Sequence, residues 1–158
     1  MSTNTSAQSV GQPSIAPAHP ATPMEHIETL AMIIGRSLVA LLFILAGVAK
    51  ILNPTPFLHH MTEFGVPTFL LPAVIALELG GGLAALIGWR TRDAAAALAV
   101  FCVLTATIFH HQLSISAERT LFLKDLAIAG GLLVLAGSAA ARARARSAGG
   151  PGLTKKSP

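Results

Sequence analysis

Four apolar runs, at about 27–51, 67–89, 93–111 and 120–140, dominate this chain of 158 residues. Each is close to the roughly 20 residues that a helix needs to span hydrocarbon. Apolar and polar residues do not alternate within them, so they read as helices and not as barrel strands. Composition agrees: 53% of the residues are hydrophobic and 11% are charged, about half the charged fraction of an ordinary soluble domain. The predicted fold is an all-α integral membrane four-helix bundle, one domain over 27–140. Its first partner would be the lipid bilayer itself.

The flanks lack apolar periodicity. Residues 1–26 are rich in Ser, Thr, Pro, Ala and Gln and hold no Lys or Arg. They read as a disordered tail, without the basic start and hydrophobic stretch of a signal peptide. Residues 141–158 alternate Ala and Arg and then turn to Gly, Pro and Lys, a basic tail expected to be disordered or to lie at the membrane surface. Asn53-Pro54-Thr55-Pro56 ends the first run, and Gly88 to Asp93 makes a tight turn in which Asp93 is positioned to cap the third helix.

Four spans put both termini and the 90–92 turn on one side. That side carries Arg90, Arg92, Arg142, Arg144, Arg146, Lys155 and Lys156, against Lys50, Arg119 and Lys124 on the other. The positive-inside rule then predicts cytoplasmic termini, with Trp89 anchored at the inner interface. The same rule accounts for the net charge of +4 without nucleic acid. The chain has no Tyr and only 5% aromatic residues, so it offers no stacking surface for bases.

Glu78 is the one charge between 67 and 89. A carboxylate at bilayer depth is expensive and points to the protein interior. Helical spacing places it with Gly81, Gly82 and Ala85, small residues that admit a neighbouring helix. On the first helix Arg36, Ala40, Phe43, Gly47 and Lys50 share a face. Counting from the cytoplasmic end, Arg36 lies about 9 Å deep and Glu78 about 16 Å deep. The gap is within reach of both side chains, so an Arg36–Glu78 ion pair is the first expectation. Lys124 and Asp125 are the competing partners, and Lys50 is expected to snorkel. Such a pair serves either as a functional polar site or as a lock between helices.

Two histidine pairs, His59-His60 and His110-His111, fall on the outer side with Glu63. Together they form a candidate metal or proton-handling constellation. Adjacent histidines on a helix point about 100° apart, so the alternative is a set of polar residues at helix ends. Cys102 is the one cysteine, which excludes a disulfide or CxxC site within one chain; it reads as a small core residue. No GxGxxG, P-loop or HExxH is present, and Gly80-Gly81-Gly82 lies inside a span as a packing feature.

Several ordered motifs carry a resemblance. The first helix reads I-G-R-S-L-V-A-L-L-F-I-L-A-G-V-A-K over 34–50, followed by F-G-V-P at 64–67. The second reads A-L-E-L-G-G-G-L-A-A-L-I-G-W-R-T-R over 76–92, and the fourth begins F-L-K-D-L-A-I-A-G-G-L-L over 122–133. Over about 30–140 this resembles the DoxX family of small four-helix bacterial membrane proteins, which implies a place in the bacterial inner membrane. Arg36, Gly47, Lys50, Glu78, Gly81, Gly88 and Lys124 match the family's recurrent positions; with Gly82 and Gly131, these glycines are the expected helix-packing points. The histidine pairs are outside that pattern, and the family assigns no catalytic residue that transfers here. The resemblance implies a membrane subunit of, or partner to, a redox complex linked to quinone or thiol chemistry. That gives quinone as the expected cofactor and a redox protein or a second copy as the expected partner. The alternatives are a non-catalytic membrane scaffold, in which the ion pair is structural, and a small transporter.

Overall fold

The computed structural model describes residues 23–148. It consists of α1 (Pro23–Leu52), α2 (Thr55–Glu63), a 3₁₀ turn (Thr68–Leu70), α3 (Leu71–Ile87), α4 (Thr91–Phe109) and α5 (Ser116–Ala148). No strand occurs among the described residues. Four segments, Pro23–Leu52, Thr68–Ile87, Thr91–Phe109 and Ser116–Ala148, are long and apolar enough to cross a membrane. They correspond to the four predicted runs, each displaced by a few residues.

Three boundaries differ from expectation. Residues 1–22 and 149–158 of the two expected tails lie outside the described residues, but 23–26 and 141–148 are helical. Pro23 suits the first turn of a helix, where its missing N–H costs nothing. At the other end Ala and Arg are both strong helix formers. The Ala-Arg alternation therefore prolongs a helix whose nucleation is already complete. The first outer loop also folds: α2 starts just after Pro54, with Pro56 in its first turn.

The α3–α4 turn is tight because two residues adopt left-handed backbone. Gly88 (φ +82°) ends α3, and the Trp89 N–H reaches back to the Ala84 carbonyl at 2.9 Å, the 6→1 bond of a Schellman ending. Arg90 (φ +45°) then holds the position before α4. Asp93 does not cap that helix. It sits in the first turn and accepts two hydrogen bonds from Arg90, at 2.9 and 2.7 Å. A side chain at 88 would meet the left-handed penalty, and its Cβ would lie 3.1 Å from Arg36 Nη1. Gly88→Ala is therefore expected to destabilise the protein by about 1–2 kcal/mol, read as a lowered unfolding temperature in detergent. An unchanged value would mean that the turn relaxes freely.

α1 packs mainly on α3, α4 mainly on α5, and α3 joins the two pairs, while α1 and α5 meet only lightly. The α4–α5 seam is rich in small residues: Ala95 and Ala99 cluster with Ala129 and Ala136, with Leu98 and Leu132 fully buried among them. Small residues let helices approach closely where lipid supplies no hydrophobic drive to associate. The large apolar residues lie on the outside instead, among them Leu38, Leu41, Leu45, Val100 and Val134. Facing acyl chains, they lose nothing by exposure.

Candidate functional site

The polar centre of the bundle is a Lys50–Glu78 pair. Lys50 Nζ donates to both Glu78 carboxylate oxygens at 2.8 Å and approaches the Ala46 carbonyl at 3.5 Å. Glu78 is 3% exposed. The face of Phe57, from α2, lies 4.8 Å from the ammonium, within cation–π range. The expectation that Glu78 points inward holds; its expected partner does not. Arg36 is elsewhere, and Lys50 is drawn in where snorkelling was expected.

Helix register explains the exchange. A Cβ on Gly47 would lie 2.7 Å from Leu79 Cγ and 3.5 Å from Glu78 Cβ. Gly82 abuts Ile44 and the Ala40 carbonyl, and Gly88 abuts Arg36. α1 and α3 thus run antiparallel with Gly47 level with Glu78. Arg36 is eleven residues from that level, about 16 Å along the axis, and Lys50 only three, about 4.5 Å. Depths counted from estimated helix ends missed this because Arg36 lies level with Gly88 at the end of α3, ten residues or about 15 Å from Glu78. Arg36 sits instead beside the α3–α4 turn, its Nε buried and without a hydrogen-bond partner among the described residues.

The glycines divide by role. Gly47 and Gly82 are the notches of the α1–α3 contact, and a Cβ on Gly81 would lie 3.0 Å from Leu98 on α4. Gly88 ends α3. Gly131, by contrast, is no packing point: a Cβ there would meet nothing within 4 Å.

A second polar group lies where α4 meets α5. His110 Nδ1 is 2.8 Å from Glu118 and its Nε2 is 4.0 Å from Asp125. Lys124 is 57% exposed and only 4.0 Å from Asp125, so it does not reach Glu78. Cys102 is buried, as expected.

The four histidines do not converge. His59 and His60 each lie 3.6 Å from Glu63. His60 stacks on Phe109 at 4.9 Å and meets Phe64 edge-on at 4.9 Å, while Phe64 also contacts His111 at 5.9 Å. His110 turns away to α5. No group of three or more His, Cys, Asp or Glu side chains among the described residues is arranged to hold a metal ion. The rings form an aromatic plug that ties α2 to the end of α4. Glu118, Phe57, Phe64 and Phe109 escaped the sequence reading. Only Glu118 carried a signal, as a carboxylate in the first turn after the histidine loop.

A family model, DoxX, matches residues 31–111. It spans α1 from Ala31 through α4 but not α5, a shorter match than the motif resemblance over 30–140. Inner membrane protein YqjF of Escherichia coli (strain K12) is 42% identical over 113 residues, 72% of this chain and 87% of that protein. Inner membrane protein YphA of the same strain is 30% identical over 112 residues, 66% of this chain and 80% of that protein. No solved structure matches the chain.

Proposed function

The chain belongs to the DoxX family, and from that premise we propose that it is a non-catalytic membrane subunit, a scaffold that holds a partner of a redox complex at the bilayer. It is a multi-pass protein of the inner membrane. By the charge asymmetry, its termini and the 90–92 turn face the cytoplasm.

The closed state of the Lys50–Glu78 pair carries this reading. An ammonium has three donors. Two are bonded to Glu78 and the third points at the Ala46 carbonyl, with Phe57 over the group. A quinone carbonyl would need one of those donors, and a quinol hydroxyl would need access to a carboxylate that the bundle buries. The pair as it stands does not fit quinone and fits a lock between α1 and α3. The redox context comes from the family alone.

The competing reading places quinone chemistry at Glu78. It draws on a carboxylate at bilayer depth, a position biased toward function, with Cys102 and the His110–Glu118–Asp125 group on the same side of the bundle. The variant Lys50→Met/Glu78→Leu separates the two, because it removes both charges together and keeps an apolar filling. Under the scaffold reading the folded double variant co-purifies with the same redox partner as the unmodified protein. Its lipid extract also holds the same quinone content. Loss of bound quinone from a double variant that still unfolds cooperatively would overturn the scaffold reading in favour of the other.

A further inference from the structure

The cleft at the opposite end of the bundle is a different kind of site. Arg36, Arg90, Arg92, Arg142 and Arg146 line one cavity of about 260 Å³ with Gly88 and Ser138. Of the five, only Arg90 is matched with a carboxylate, Asp93, among the described residues. Arg36 Nε is buried without a hydrogen-bond partner among the described residues. Guanidinium groups gathered on three helices and one turn repel one another, so the arrangement favours an anion between them. Arginine suits phosphate in particular, because its planar fork binds two oxygens at once.

The cavity does not stand alone. Met32, Arg36, Leu135 and Arg142 also line a second cleft of about 890 Å³, which continues between α1 and α5 along Ile33, Val39, Gly131 and Val134. That volume is within the range of about 300–1,000 Å³ typical of ligand clefts. Its walls are mostly apolar, with Glu25 and Glu28 also in the lining. The seam is open because α1 and α5 barely touch there, the Ser138 hydroxyl meeting Met32 Sδ at 3.8 Å. Exposed Trp89 sets the level: it follows the same turn as Arg90, and indoles settle at the headgroup interface. Cations at headgroup depth joined to an apolar groove at acyl-chain depth match one ligand class.

We propose that the α1–α5 seam is a binding site for an anionic phospholipid, its phosphate held by Arg36, Arg92 and Arg142 and one acyl chain lying over Gly131. Basic pockets between spans on the cytoplasmic side are suited to such headgroups. This proposal is independent of whether Glu78 carries chemistry.

Native mass spectrometry of the detergent-released protein tests it, titrating phosphatidylglycerol against phosphatidylethanolamine. The expected result is selective retention of phosphatidylglycerol. Arg36→Gln and Arg142→Gln should each weaken it about fivefold, the loss of one cation at the surface. Arg144, which does not line the cavity, is the charge control, and Arg144→Gln should retain the lipid. Gly131→Leu fills the groove without meeting protein atoms, so it should weaken the lipid and leave the protein's unfolding temperature in detergent unchanged. Three outcomes would overturn the proposal. In the first, Arg144→Gln loses the lipid as fully as Arg142→Gln. In the second, inorganic phosphate competes equally well in Gly131→Leu and in the unmodified protein while the lipid is unaffected by the substitution. The third is a lipid-free dimer that occupies the seam.

Discussion

Replacing Lys50 with Met lowers stability by about 3–5 kcal/mol, the cost of leaving one partner of a buried ion pair unmatched. Glu78 is 3% exposed and cannot swing to water. The two other cations weighed as its partner are out of its reach: Arg36 lies by the α3–α4 turn, and Lys124 is turned outward, 57% exposed. The reciprocal change, Glu78→Gln, should cost less, because the long stem of Lys50 lets its ammonium snorkel toward the near surface. Removing both charges with Lys50→Met/Glu78→Leu should recover most of the loss, since well-packed apolar residues often replace a buried pair without penalty. Unfolding temperatures of the three variants in one detergent form a double-mutant cycle. Additive losses would show that the 2.8 Å contact contributes no coupling and would remove the lock between α1 and α3.

The second large effect belongs to Gly47. A leucine there would drive its first side-chain carbon to 2.7 Å from Leu79 Cγ, and overpacking of this kind typically costs about 1–3 kcal/mol. Displacing α1 also stretches the Lys50–Glu78 bonds one turn away, so the upper end of that range is expected. Leu79→Ala in the same chain makes room and should restore part of the stability. Gly130→Leu, where a Cβ meets nothing, should be close to neutral. Equal effects at 47 and 130 would mean that helix propensity and not close approach governs both.

Much of the architecture was legible because the bilayer imposes it. Spans, turns and the inward face of Glu78 follow from length, charge and small-residue spacing, and each depends on one helix at a time. The partner of Glu78 depends on how two helices slide past each other. That register is set by the mutual fit of Gly47 with Leu79 and of Gly82 with Ala40 and Ile44, which no count from a helix end can supply. The same limit hid the aromatic plug. Phe57, Phe64 and Phe109 are ordinary apolar residues until α2 folds across the end of α4 and brings His60 onto Phe109. The Ala-Arg run shows the opposite error: its charge argued for solvation, and its helix propensity decided the outcome.

Among the four spans, every extensive contact joins neighbours in the chain: α1 with α3, α3 with α4, α4 with α5. Contacts between near neighbours form early and fast. Each span can therefore dock on its predecessor as it enters the bilayer, the α4–α5 seam closing last. The finished bundle is a row bent toward closure, with its first and last members meeting late and lightly. A molecule between α1 and α5 can therefore come and go without breaking any of the extensive seams.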